Sequence, residues 1–284
     1  ICATLPENMD LETRQLLIAK GVAPMQGIHE TLNAIQDSAN WKKAQSHILL
    51  EKPEYLLKVI PSSEKRVLPE SEGKEWLKRN SFNVPEGKIV SAQQLGEAAI
   101  AVGYPVALKM ISPRLTHKTE AGAVVLNLKD ENSLNIAAAK MKSDVTAYDA
   151  RAVSESFLVE AMSPNPLVEL IINIRQDPQF GAALVLGSGG VLVELLADSA
   201  TLLLPTRPVE IIRALKGLRV GRLLEGFRGR PAVDIGKVAA EIYKLSVTYQ
   251  DNIKTIAEIE INPLFVYEAE VSAIDVLIQV PNEK

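Results

Sequence analysis

The sequence of 284 residues predicts an α+β fold built from two subdomains. Two observations point there. After the stretch ending near Ala147, apolar residues change from helical spacing toward alternation, which marks strands with one buried face. The strands so marked look antiparallel, and the helices are segregated between them rather than alternating with them one for one. A third observation concerns the start of the chain. There, helix, strand and helix follow one another in the manner of an α/β layer that lacks its earlier strands.

Composition narrows the class. The chain is long enough for ample core, and 47% hydrophobic residues argue against disorder. A net charge of -4 with scattered basic residues disfavours a nucleic-acid surface. No apolar run approaches the roughly 18 residues of a membrane helix. The best candidate, Val191 to Leu204, is interrupted by Glu194 and Asp198. A single cysteine, Cys2, excludes an internal disulfide framework and a cysteine metal site, in keeping with a cytoplasmic protein. The chain opens on Ile1 with no signal-like pattern, and the expectation is that it is a piece of something longer.

In chain order, Asn8 or Asp10 caps a helix through about Lys20, with Leu11, Leu16 and Leu17 as its apolar positions and Gly21 as its stop. Val22 to Met25 is a short strand. After Gly27 a helix follows with Leu32 and Ile35 on one face, ending near Trp41. Residues 46–69, with Pro53, Pro61 and Pro69, form a linker. Glu70 to Arg79 is a helix using Trp76 and Leu77, and 82–90 is a strand broken by Pro85 and Gly87. Ser91 caps a helix to Val102 that Gly103 ends. Asn132 or Ser133 leads a helix to about Ala147, with Ile136, Ala139, Lys140 and Met141 at helical spacing. Strands are expected at Val153–Glu160, Leu167–Arg175, Ala182–Leu186 and Val191–Leu195, the last two separated by a GSGG turn. Helices near Val209–Lys216 and Asp234–Tyr249 precede strands at Ile256–Asn262, Phe265–Tyr267 and Ser272–Ile278.

The residues that could carry chemistry begin between Tyr104 and Leu128. The apolar run Val106-Ala107-Leu108 ends on Lys109, either a strand-end lysine that snorkels or a point charge aimed at a phosphate. A basic loop then carries His117, Lys118 and Gly122. A lone loop histidine is ordinarily just solvated, yet histidine can also become a covalent nucleophile, and Gly122 permits close backbone approach. Val159-Glu160 at a strand end, and Glu169 beyond it, are ordinary strand-edge acids or a means of reading adenine and ribose. Glu260 and Asn262 lie two apart on one strand and so share a face. With Asp275 they offer hard oxygen ligands that suit Mg²⁺, the alternative being a solvated strand face. Glu194 is a further metal ligand or a group that orients one. The GSGG run matches neither G-x-x-x-x-G-K-[ST] nor G-x-G-x-x-G and is an ordinary tight turn.

These parts, in this order, resemble a known family. GYPVALKMISPRLTHKTEAGAV, then FLVEAM, VELIINIRQDPQFGAALVLGSGGVLVELLAD, LLEGFRGRPAVD and AEIEINPLFV look like the ATP-grasp half of NDP-forming acyl-CoA synthetases, similar to the β subunit of succinyl-CoA synthetase. TLPEN and GVAPMQGIHETLNAI resemble the end of the CoA-ligase half. The resemblance implies an ATP-grasp domain over 70–284, a linker over 46–69, and over 1–45 the tail of a flavodoxin-like α/β CoA-ligase domain. The implied reaction converts a carboxylic acid, CoA and ATP into acyl-CoA, ADP and phosphate, reversibly, through an acyl phosphate and a phosphohistidine. Implied cofactors are ATP/ADP and Mg²⁺, with CoA in the full-length protein. Implied partners are upstream CoA-binding and CoA-ligase domains, in a homo-oligomer. By the same resemblance Lys109 and Lys118 hold phosphates, Val159 and Glu160 form an adenine hinge, and Glu169 lies near the ribose. Asn262 and Asp275 hold Mg²⁺, Glu194 and Glu260 support that end, and His117 carries the phosphoryl group.

The sequence departs from the family pattern at three places. Ala123 stands where a second glycine is usual, Asn173 where a glycine is expected, and Leu277 where a basic residue is expected. Two other readings therefore stand beside the first. One is an ATP-grasp ligase that joins a carboxylate to an amine and needs no His117. The other is a non-catalytic nucleotide-sensing module of a fused acetyltransferase.

Overall fold

The computed structural model describes residues 2–3, 8–50, 64–115, 118–190 and 198–282, without the side chains of 2–3 and 42–50. His117, Glu194 and the strand expected at Val191–Leu195 lie outside the described residues. The chain divides into two compact units, Ile1–Glu54 and Tyr55–Lys284.

In the first unit β1 (Cys2–Ala3), α1 (Leu11–Ala19), β2 (Met25–Gln26) and α2 (Ile28–Leu50) follow in order, and β1 pairs with β2 in parallel. Asp10 caps α1 by accepting from the Thr13 amide at 2.7 Å. The expected strand at Val22–Met25 is shifted to Met25–Gln26. The helix expected to end near Trp41 runs on to Leu50, because no glycine or proline interrupts residues 28–50. The expected linker is thus helical over 46–50, its 51–63 segment lies outside the described residues, and Lys65–Val67 near its end is a strand paired with Gln279–Pro281 rather than linker. Leu11, Leu16, Leu32 and Ile35 are exposed, and α1 buries none of its residues.

The second unit runs β3 (Lys65–Val67), α3 (Glu70–Arg79), β4 (Gly87–Ser91), α4 (Leu95–Val102), β5 (Val106–Met110), β6 (Val124–Leu128), α5 (Glu131–Tyr148) and β7 (Ser156–Ala161). It continues with β8 (Val168–Asp177), β9 (Gly181–Ser188), β10 (Ser199–Leu203), α6 (Pro208–Gly217), α7 (Gly221–Leu224) and α8 (Ile235–Asp251). It closes with β11 (Glu258–Val266), β12 (Val271–Ala273) and β13 (Val276–Pro281). Two antiparallel sheets result. The smaller has the order β4-β7-β5-β6, and the larger β10-β9-β8-β11-β13-β3 with β12 on β11. The α+β reading with two subdomains holds.

Each sheet has its own core. In the smaller, Val106, Leu108 and Met110 of β5 meet Leu95 and Ala99 of α4 and Leu134, Met141 and Val145 of α5. In the larger, Ile172 and Ile174 of β8 and Ile259 and Ile261 of β11 meet α8 through Val238, Ile242, Leu245 and Tyr249. The Tyr249 hydroxyl donates to the Ala257 carbonyl at 3.1 Å, so its polar end is satisfied.

Several boundaries move for identifiable reasons. The strand expected over 82–90 begins only at Gly87, beyond Pro85. Asp130, rather than Asn132 or Ser133, caps α5, and Ser133 returns the bond in a capping box. The buried face of α5 is Leu134, Ala137, Ala138, Met141 and Val145, which leaves Ile136 61% exposed. Pro263 has no N–H to give, and the pairing of β11 with β8 slips between Ile261 and Leu264. The strand expected over Ser272–Ile278 is two strands, interrupted at Ile274 and Asp275.

Ile261→Ala should lower unfolding free energy by about 2–5 kcal/mol, because the fully buried side chain leaves a cavity. Ile136→Ala should change it by no more than about 0.5 kcal/mol. Urea denaturation of both variants checks which α5 face is buried and how much β11 contributes.

Candidate functional site

Lys109 lies within β5, all of whose residues are buried, and is itself only 5% exposed. A buried ammonium must find an acceptor for each of its three protons. It bonds Glu70 Oε1 at 2.6 Å, Glu160 Oε2 at 2.9 Å and the Ile274 carbonyl at 3.1 Å. That carbonyl is free to accept because the strand breaks there between β12 and β13.

Glu70 comes from α3, whose buried residues Glu70, Gly73, Lys74 and Leu77 follow helical spacing. Leu77 is seated in the larger core. Gly73 lets the helix lie close to β13, where a Cβ would stand 3.0 Å from Val276 Cγ1. Glu70 and Lys74 are thereby held at the smaller sheet. Lys74 pairs with Glu70 Oε1 at 2.9 Å and makes a short contact with Glu160 Oε1. Lys118 bonds Glu70 Oε2 at 2.6 Å and Asp275 at 3.2 Å.

The cluster holds three ammonium groups (Lys74, Lys109, Lys118) and three carboxylates (Glu70, Glu160, Asp275), formally balanced. Burial opposes ionisation of Glu70, yet Lys109, Lys74 and Lys118 together hold its carboxyl well below the usual range. Burial likewise works against the Lys109 ammonium, and Glu70, Glu160 and Asp275 more than offset it, raising its pKa. Lys118 is raised in the same way, burial being overcome by Asp275 and Glu70. Lys74 is lowered, first by burial and then by the Lys109 charge. Asp275 is raised by burial and by the Glu70 carboxylate.

A second patch adjoins the first. The Asn262 amide donates to the Asp275 carbonyl at 3.2 Å, and Asn262 Oδ1 accepts from the Gly190 amide at 3.2 Å. Gly190 has φ +65, and a Cβ there would overlap Glu169 Oε2. The Gly189 amide donates to the Glu169 carbonyl at 2.8 Å. The expected GSGG turn is therefore only half a turn: Gly187 and Ser188 still belong to β9, paired with Ile171 and Leu170, and only Gly189 and Gly190 leave the ladder and fold onto Glu169 and Asn262. On β11, Glu260 pairs in register with Asn173 on one side and Leu277 on the other. Asn173 Nδ2 donates to Glu258 Oε1 at 2.8 Å and Glu260 Oε2 at 3.1 Å, while its own Oδ1 is buried without a partner.

The structure therefore gathers Lys109, Lys118, Glu160 and Asp275 into one network, with Asn262 and Glu169 adjoining it. Val159 and Glu160, expected to read adenine, both lie on β7. β7 is an interior strand with ladders on both sides, the Val159 side chain is in the smaller core, and the Glu160 carboxylate is taken by Lys74 and Lys109. Glu70 and Lys74 escaped the sequence reading. Their signal was an E-x-x-x-K pair sharing the inner face of a short helix with Gly73.

No group of three or more His, Cys, Asp or Glu side chains among the described residues could hold a metal. Asn262, Asp275 and Glu260 are nevertheless all oxygen donors, which fit a hard divalent cation. The Asp275 side chain is 36% exposed and already carries a cation, the Lys118 ammonium. No helix among the described residues is long and apolar enough to cross a membrane.

Residues 60–280 match the family model described as "ATP-grasp domain". The β subunit of an ADP-forming acetate–CoA ligase (I) from Pyrococcus furiosus is 32% identical over 214 residues, 75% of this chain and 91% of that one. A 4-hydroxybutyrate–CoA ligase (ADP-forming) from Nitrosopumilus maritimus is 29% identical over 267 residues. That match takes in 90% of this chain, which spans only 38% of the ligase. Among solved structures, a dinucleotide-forming acetyl-coenzyme A synthetase 1 from Candidatus Korarchaeum cryptofilum, with coenzyme A and Ca-AMPCP, superposes with a TM-score of 0.71 at 30% identity. The superposition covers 76% of this chain and 93% of that one. The same synthetase with coenzyme A and Mg-AMPPCP, its phosphohistidine segment pointing towards the nucleotide binding site, gives 0.65 at 28% identity over the same shares.

Lys74→Met should destabilise the fold by about 3–5 kcal/mol, since it strands Glu160 and Glu70 in a buried cluster that has lost a cation; urea unfolding measures this. Glu70 also sets a pH dependence. Its folded pKa lies below the ordinary 4.5, so the stability it contributes is complete above that value and is lost as pH falls below it. Melting temperatures between roughly pH 3 and 6 should fall less steeply in Glu70→Gln than in the parent chain.

Proposed function

This chain belongs to the ATP-grasp family and its relatives include the β subunits of ADP-forming acyl-CoA synthetases; from that premise we propose that it is the nucleotide-binding, phosphoryl-transferring part of such an enzyme. The complete reaction is acid + CoA + ATP ⇌ acyl-CoA + ADP + phosphate. The observation that carries the reading is the convergence of Lys109 and Lys118, from separate segments, at the seam between the two sheets. Catalysis of phosphoryl transfer is mainly positioning and charge stabilisation, and buried ammonium groups held by carboxylates are positioned in advance.

Lys109 and Lys118 bind nucleotide phosphates in this proposal, with Glu160 and Glu70 keeping Lys109 in place and Glu169 lying at the ribose end. Asn262 and Asp275 hold Mg²⁺, supported by Glu260 and Glu194. Because the lysines and carboxylates balance, a bound divalent cation would supply the extra positive charge that phosphate oxygens require. His117 accepts a phosphoryl group on an imidazole nitrogen, displacing the donor's leaving group, and returns the group to the terminal phosphate oxygen of ADP. The donor lies on CoA-binding and CoA-ligase domains, which we take to complete the enzyme. Two observations support this: the chain spans nearly all of a β subunit but little over a third of a longer ligase, and the match to that ligase reaches into the first unit. We take that unit, with its parallel strand pair, as the end of the CoA-ligase domain. A cytoplasmic homo-oligomer completes the proposal, the lone cysteine suiting a reducing compartment. The relatives' names favour this reading over an amine-joining ligase or an acetyltransferase-linked sensor.

Two variants test it. By calorimetry with Mg·ADP, Lys109→Ala should weaken binding about tenfold or more, equivalent to roughly 1.4 kcal/mol. When the chain is combined with its CoA-ligase half and labelled ATP, acid-labile phosphate should map to His117 and be absent from His117→Ala. Turnover that persists in His117→Ala would defeat the phosphoryl-carrier role.

A further inference from the structure

Glu70 stands between the two lysines given to the nucleotide phosphates above. Its carboxylate is 4% exposed, and its two oxygens have different tasks. Oε1 accepts from Lys109 at 2.6 Å and from Lys74 at 2.9 Å; Oε2 accepts from Lys118 at 2.6 Å. Two ammonium groups placed this close repel each other unless an anion lies between them, and at the first turn of α3 the helix N-terminus favours that anion.

The two lysines depend on Glu70 unequally. Lys109 is seated on an interior strand and keeps Glu160 at 2.9 Å and the Ile274 carbonyl at 3.1 Å. Lys118 lies in the turn before β6, and beyond Glu70 its carboxylate partner is Asp275, at 3.2 Å and one-third exposed. Loss of the Glu70 charge would therefore leave Lys109 where it is and release Lys118.

We propose that Glu70 is a positioning residue for nucleotide capture: it docks Lys118 beside Lys109, so that the two ammonium groups meet the phosphates of a nucleoside diphosphate together. The proposal rests on the nucleotide reading for its ligand but not for its geometry.

Two measurements separate these. Competitive acetylation of lysines, read by mass spectrometry, should show Lys118 at least about tenfold more reactive in Glu70→Gln than in the parent, with Lys109 unchanged within about twofold. Glu70→Asp, which keeps the charge but shortens its reach, should show a smaller rise at Lys118 and carries the test should Glu70→Gln not fold. Lys118 remaining protected in the folded variants, or both lysines rising together, overturns the proposal whether or not nucleotide binds. Calorimetry with Mg·ADP should then show Glu70→Gln weakened about tenfold, with Lys118→Ala adding little in the double variant because both remove one contact. Unchanged or tighter ADP binding in Glu70→Gln also overturns it. A parent chain that fails to bind ADP defeats the nucleotide reading, while the acetylation result still decides the role of Glu70.

Discussion

The ion network of Glu70, Lys74, Lys109, Lys118, Glu160 and Asp275 joins the two sheets of the larger unit. Lys109 and Glu160 stand on the smaller sheet, Asp275 at a break in the larger one, and Glu70 and Lys74 on the helix lying between. Such a cluster is a poor device for stability alone. Taking six charges out of water costs several kcal/mol per ion, and apolar residues of similar volume hold an interface about as well. Once built, however, it tolerates little change, because removing one member leaves an uncompensated charge. The arrangement therefore fixes ammonium positions more effectively than it adds stability.

The groups around the network become available where regular pairing fails. The break between β12 and β13 frees the Ile274 carbonyl for Lys109 and turns Asp275 toward Lys118. The slip beside Pro263 ends regular pairing where Asn262 meets the Gly190 amide. The turn after β9 sets Gly190 against Glu169. Three irregularities within the larger sheet thus leave oxygen donors and backbone amides outside the regular ladder. An uninterrupted sheet would have spent these groups on its own ladder.

The departures from the family pattern have physical locations. The Ala123 side chain is fully buried in the smaller core, and its carbonyl accepts from the Met110 amide at 3.0 Å, so the methyl group serves packing rather than the loop surface. Asn173 and Leu277 flank Glu260 from opposite neighbouring strands. Two changes far apart in sequence therefore alter one carboxylate's surroundings. Asn173 supplies a donor where a glycine would supply nothing, and Leu277 adds no charge.

Much of the architecture was legible before any coordinates. Helix α3, the stop at Gly103 and the inward residues of α8 follow from local periodicity and capping, which act over a few residues. The ordered motifs brought Lys109, Lys118 and Asn262 to notice, and Asp275 followed as an acid on the next strand. Sequence did not reveal how they meet. A lysine at the end of Val106-Ala107-Leu108 reads equally well as snorkelling or as aimed at a phosphate, and only the folded chain shows it buried, with carboxylates from residues 70 and 160 closing on it. Glu70 and Lys74 drew no notice, because the face on which a short helix is buried depends on what packs against it. The tenancy of Glu160 by two lysines, the split strand at Asp275 and the flanking of Glu260 were likewise settled by tertiary structure. Each depends on pairing between segments tens to more than a hundred residues apart, and local sequence preferences do not carry that information.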